Sequence, residues 1–228
     1  MPDESWTITA TSTGDSTQYV VGKGTMNVGA PARAVAGAEP DDRTRVLFIG
    51  ASPTAASLDR IRADRELRAI REVEAQGHFR LFPRTAAQVA DLRGIAAERP
   101  DLLHLSCHGD GSDLVFERGT GRAHAVPARD VADVLAAYRE HAGAALRGIV
   151  LQSCHSAEVA ELFTPLADAV VAWRGDLPDP VAIAFAGQLY RELRDVPELA
   201  GAARLASRIT ALTHRWGSAL DGLVVLPA

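Results

Sequence analysis

The chain of 228 residues is 47% apolar and carries a formal net charge of -5, from 24 basic and 29 acidic side chains. That suffices for one sizeable core, while the interspersed charges offer no broad basic surface for nucleic acid. Two cysteines exclude a disulfide framework, and no apolar run approaches the roughly 20 residues of a membrane span. The opening MPDESW has no apolar signal stretch, so a reducing cytoplasm without a membrane partner is the expectation.

Residues 1–44 are rich in Thr, Ser, Gly and Ala and close on a Pro-containing linker, which predicts a tail or β-rich segment ahead of a packed domain over 45–228. RVLFIG is a continuous apolar run suited to a strand buried on both faces, and the turn-rich ASPTAAS follows it. From Leu58 to Gln76, apolar residues Leu58, Ile61, Leu67, Ile70 and Val73 recur at helical spacing before the stop signal Gly77. HFRLF reads as a strand, Thr85 as the cap of a helix over 86–99, and Pro100 as its end. LLHLSCHG is the third strand, LVFERGTGRAHAV a small hairpin, and ARDVADVLAAYREHA a helix. LRGIVLQSC is the fourth strand, SAEVAELF a short helix and DAVVAWRG the fifth strand. Helices over 180–193 and 198–216 and a terminal strand-like GLVVLP complete the chain. Apolar strands without polar alternation, each followed by a helix, predict an α/β fold with a mostly parallel sheet covered on both faces.

In such sheets functional groups gather beyond the carboxyl ends of the strands. Two Cys-His pairs stand there, Cys107-His108 and Cys154-His155. Strand pleating places Cys107 in phase with Leu103 and Leu105, and His108 in phase with His104 and Ser106. Cys107 is therefore expected to be a buried small hydrophobe and His104 a satisfied core histidine. Cys154 is the thiol to be activated, by an imidazole across the crevice and by a helix expected to start at Ser156.

His108-Gly109 at the end of one strand and Gln152-Ser153-Cys154 at the end of the next resemble the His-Gly and Gln-x-Cys segments of caspase-like cysteine peptidases, the clan of caspases, metacaspases and bacterial CHAT-type peptidases. The His-to-Cys interval, from 108 to 154, agrees with the caspase spacing of about 50 residues. The resemblance implies a three-layer caspase-hemoglobinase-like fold. It also implies a thiol endopeptidase acting on protein or peptide substrates without a cofactor, with Cys154 as nucleophile, His108 as base and the amides of Gly109 and Cys154 as oxyanion donors. SCHS is similar to the metacaspase form of the Cys segment, and AWRG to the caspase segment lining the cleft. Gln152, Trp173, Arg174 and Asp176 are accordingly the candidate substrate-binding residues. Their charges leave the preferred P1 residue open, because Gln152 and Arg174 suit an acidic or neutral side chain while Asp176 and Asp179 oppose it. The resemblance further suggests a bacterial immune or cell-death effector released by a partner, with the loop after His108 as its mobile element.

The segment GDSTQYVVGKGTMNVG has the composition of chains that stack into cross-β arrays and loosely resembles short amyloid-type signalling motifs, a candidate homotypic or adaptor contact beside the reading as a hairpin or tail. Two other readings of the four Cys and His residues remain. One is a zinc site, although adjacent side chains at a strand end diverge. The other is a catalytically silent domain whose cleft binds peptide without cutting it.

Overall fold

The computed structural model describes residues 41–54, 61–214, 216 and 220–227. The candidate recruitment segment within residues 1–40 and the first turn expected at Leu58 lie outside these residues. Asp42–Ala228 cluster as one compact unit.

The strands β1 (Thr44–Gly50), β2 (Phe79–Thr85), β3 (Leu102–Ser106), β7 (Gly148–Gln152), β8 (Ala169–Trp173) and β9 (Leu223–Pro227) form one sheet in the order β2-β1-β3-β7-β8-β9. Every pairing is parallel except that of β8 with β9. All five residues of β3, β7 and β8 are buried, which is why these strands read as apolar runs with no polar face.

Alternate residues serve the two faces. Leu47, Ile49, Leu103, Leu105, Ile149 and Leu151 pack with the helices α2 (Gly94–Glu98) and α3 (Ala128–Ala142). Val46, Phe48, Val150 and Val171 point to the other face, where α1 (Ala63–Glu74), α4 (Asp179–Glu192) and α5 (Leu199–His214) lie. The result is a three-layer fold with a largely parallel centre.

Two local expectations change, and a third gains a strand. The helix expected over 86–99 is a 3-10 turn at Val89–Arg93 followed by the short α2. Thr85 ends β2 instead of capping, Ala86 takes a positive φ of 51°, and Gln88 with Asp91 forms the capping box. The hairpin expected after His108 forms as β5 (Asp113–Glu117) and β6 (Ala123–Pro127), and β4 (His108–Gly109) adds a third antiparallel strand to it. The helix expected over 156–163 is a series of 3-10 turns, because Ser156 Oγ donates to the Leu151 carbonyl at 2.9 Å and accepts the Trp173 amide at 3.0 Å. Ser156 is thereby tied to β7 and β8 and does not cap a helix. Among the described residues no helix is long and apolar enough to cross a membrane.

Candidate active site

In the parallel ladder of β3 and β7, Ser106 pairs with Gln152. His108 and Cys154 each follow two residues on, so the sheet register delivers both to the same end of the same strand pair. They line one narrow cleft together with Ser106, Cys107, Gln152 and Ser153. Its other walls come from the start of α1, from Leu177 and from the first turn of α4.

The two cysteines differ sharply. Cys107 is 4% exposed and packs with Leu103 and Leu105 as the pleat predicts. Burial pushes its thiol up to about 12, which leaves it a protonated core residue near neutral pH. Cys154 is only partly buried, and its Sγ accepts the Leu177 amide at 3.3 Å. This amide is the one backbone N–H recorded on the sulfur among the described residues, and the 3-10 turns after Cys154 do not provide the helix N-terminus expected there. His108 is half-buried, and its Nε2 is shut away from solvent without a partner among the described residues. Unpaired buried imidazole nitrogens are unusual and call for an explanation.

Gly109 sits against the Cys154 turn. A Cβ there would collide with Ser153 Oγ and lie 2.9 Å from the Cys154 carbonyl oxygen, so a residue without a side chain permits this approach.

The remaining candidates divide. Gln152 lines the cleft, is 3% exposed and donates through Nε2 to the Ala182 carbonyl at 2.7 Å. Trp173 does not line it. The side chain is 1% exposed and packs edge-on against Phe185 between the sheet and α4. Its register explains this, since Ala169, Val171 and Trp173 share the face that α4 and α5 cover. Arg174 is exposed and also outside the cleft. Asp176 stands at the surface, where the His155 Nε2 is 3.4 Å from its Oδ1 and the His155 Nδ1 is 3.2 Å from Glu158 Oε1. With the His155 amide donating to the Gly175 carbonyl at 2.9 Å, these contacts tie the 174–177 loop to the Cys154 turn and so hold the Leu177 amide near the sulfur. His155 therefore turns away from the other three Cys and His residues. Among the described residues no group of three or more His, Cys, Asp and Glu side chains is placed to hold a metal ion.

A family model described as the CHAT domain matches residues 5–216. The chain belongs to the CHAT domain family. A relative from an unknown prokaryotic organism, named a Roc-COR-CHAT protease, is 29% identical over 178 residues, which cover 73% of this chain and 16% of that protein. The CHAT domain described here thus spans a small part of that relative's length. Among solved structures it is similar to the Arg specific cysteine proteinase gingipain R (TM-score 0.53, 14% identity, 82% of this chain and 48% of that one). It is similar also to a secreted C11 cysteine protease from Bacteroides thetaiotaomicron (0.52, 15%, 72% and 57%) and to caspase-1 from Spodoptera frugiperda (0.50, 12%, 81% and 85%). These likenesses establish the expected caspase-hemoglobinase-like architecture for the CHAT domain.

Asp179, whose charge the sequence sets against an acidic P1 residue, lines the cleft of this CHAT domain, and four residues that the sequence does not single out complete it: Arg62, Glu66, Leu177 and Ile183. Glu66 is 3% exposed. Its Oε1 is 2.5 Å from His104 Nε2, its Oε2 accepts Ser106 Oγ at 2.8 Å, and His104 Nδ1 is 3.0 Å from the Tyr190 hydroxyl. His104 is the satisfied core histidine that the sequence predicts. Glu66 had a legible signal, because a charged residue four before Ile70 and seven before Val73 falls on the buried stripe of its helix.

Proposed function

We propose that this CHAT domain is a cysteine endopeptidase in which Cys154 is the nucleophile and His108 the general acid and base. The observation that carries the reading is the buried, unpartnered Nε2 of His108 in the same cleft as a thiol that accepts an amide hydrogen bond. Nε2 takes the Cys154 proton, and the thiolate adds to the peptide carbonyl carbon. The amides of Gly109 and Cys154 hold the oxyanion, a role supported by the close approach of Gly109 to the Cys154 turn. The C–N bond then breaks as His108 returns the proton to the leaving amine. Water, deprotonated through His108, hydrolyses the thioester and frees the thiol.

In the same reading the substrate is a protein and the enzyme is an immune or cell-death effector released by a partner. The much longer relative named a Roc-COR-CHAT protease supports a cleaving module within a larger assembly.

A thiol-directed peptidyl inhibitor tests the dyad. It is expected to modify Cys154 and leave Cys107 untouched, as read by peptide mass mapping, and the modification disappears in His108→Ala. Modification of Cys107, or none of either thiol, favours a silent peptide-binding domain instead.

The Gly109 contact yields a second expectation. In Gly109→Ala the Ser153 hydroxyl can rotate away, but the Cys154 carbonyl is backbone and can yield only if the turn moves. A displacement of that kind at the reacting atoms lowers kcat/KM about 100-fold. A thermal melt of the same protein is expected to show a far smaller change, and unchanged turnover removes Gly109 from the site.

A further inference from the structure

We propose that the cleft beside Cys154 receives a cationic P1 side chain, Lys or Arg, whose charged head is held by the Asp179 carboxylate and Gln152 Oε1. The inference rests on the peptidase reading above and names the substrate class of that site.

Gln152 supplies the first argument. Its Nε2 meets a carbonyl oxygen, so the amide orientation is fixed by its partner, and the opposite atom, Oε1, is the acceptor left over. Oε1 is buried and has no hydrogen-bond partner among the described residues, on a side chain 3% exposed that lines the cleft. A buried acceptor without a donor costs free energy that an incoming N–H recovers. The occupant must bring a donor.

The charges supply the second argument. Three ionisable side chains other than the dyad and the protonated Cys107 line the cleft: Arg62, Glu66 and Asp179. Both Glu66 oxygens are engaged by His104 and Ser106, so Glu66 contributes its negative field while needing no further partner. Arg62, the one cation, is committed through Nε at 2.9 Å and Nη2 at 2.8 Å to the two oxygens of Asp64. Asp179 lies near enough to act on Arg62, but Arg62 is already matched by Asp64, so the carboxylates of Glu66 and Asp179 leave the cleft net negative. Arg174, which would have favoured an acidic residue, stands outside.

The walls complete the match. Ile61, Leu177 and Ile183 are apolar and line the same cleft, which suits the methylene stem of Lys or Arg with its head directed to Asp179. The two alternatives fit worse. An acidic P1 side chain would meet Glu66 and Asp179 as like charges and would have to draw Arg62 from its fork on Asp64. An apolar one would satisfy the walls and leave Gln152 Oε1 unpaired.

The test is a set of peptidyl acyloxymethyl ketones identical except at P1, which carries Arg, Lys, citrulline, norleucine or Asp. The rate of Cys154 modification is read by intact-protein mass. Arg and Lys are expected to react faster than norleucine and citrulline by about 100-fold or more, because the site is built around groups that only a charged donor satisfies. Asp is expected to be slowest. In Asp179→Asn the Arg-to-norleucine ratio is expected to fall about 30-fold or more. Citrulline keeps the shape of Arg without its charge, so the comparison stands on the unaltered protein even if Asp179→Asn folds poorly. Norleucine, citrulline or Asp reacting as fast as Arg and Lys overturns the cationic pocket and leaves the peptidase reading in place. Failure of every P1 class to modify Cys154 overturns both.

Discussion

Replacing His108 by Ala is expected to lower kcat/KM for peptide hydrolysis at neutral pH by at least about 10⁴-fold, as is Cys154→Ala, with the double variant no worse than either alone. In the proposed mechanism the two side chains act as one unit. Without the imidazole only a few per cent of an ordinary thiol is ionised near pH 7, and nothing protonates the departing amine. Without the sulfur the imidazole has no nucleophile to activate. The two single variants separate at higher pH. At a pH above the ordinary thiol range His108→Ala is expected to regain alkylation of residue 154 by iodoacetamide, while Cys154→Ala has no sulfur there to label. Stability is expected to move the other way from activity. His108 Nε2 is buried and unpaired among the described residues, so its removal relieves a desolvated group, and His108→Ala is expected to melt no lower than the parent. Retention of activity within tenfold in His108→Ala, measured on a peptide substrate, assigns the acid-base role elsewhere.

The sheet was legible because strands covered on both faces read as unbroken apolar runs, as in β1, β3, β7 and β8. Their ends carry the proposed dyad, and the pleat alone separated Cys107, packed with Leu103 and Leu105, from His108, which shares the cleft with Ser106. The same period of two places Trp173 in phase with Val171, on the face that α4 covers. In that case a segment resemblance outweighed a register that was already readable. Other features depend on contacts distant in sequence. The strand order β2-β1-β3-β7-β8-β9 and the antiparallel β9 follow from how layers pack, and no local pattern encodes them. The helix expected after Cys154 was lost to Ser156, whose hydroxyl bridges β7 and β8 instead of capping. Glu66 reaches the cleft from a helix that the sequence marks only as a covering element, whereas Asp179 is already legible as a charge near the strand end.

Glu66→Ala is expected to destabilise the domain by about 3 kcal/mol or more, since it removes one partner of a buried polar cluster and leaves the rest unpaired. For a domain of this size that corresponds to a fall in Tm of roughly 6–12 °C. The size of the effect follows from what Glu66 holds. One oxygen meets His104 Nε2 and the other accepts Ser106 Oγ, while His104 continues to the Tyr190 hydroxyl on α4. The cluster thus joins α1, β3 and α4 through side chains that are 0–3% exposed, where no water replaces a missing partner. Tyr190→Phe deletes only the terminal hydroxyl and keeps the ring packed near Phe79 and His104, so about 1 kcal/mol is expected. The double variant is expected to lose less than the sum, because both changes act on the same imidazole. Glu66→Gln keeps the volume and two polar atoms and is expected to fall between the two single variants. Urea unfolding of the parent and the four variants measures these differences. Strict additivity shows that Glu66 and Tyr190 stabilise the fold independently of His104. Ser106 gives the cluster its bearing on the proposed catalysis: it stands two residues before His108 and pairs with Gln152, so loosening its hydroxyl is expected to shift the strand ends that bring the imidazole and the sulfur to one cleft. The loss of kcat/KM in Glu66→Ala is therefore expected to exceed what its unfolded fraction explains.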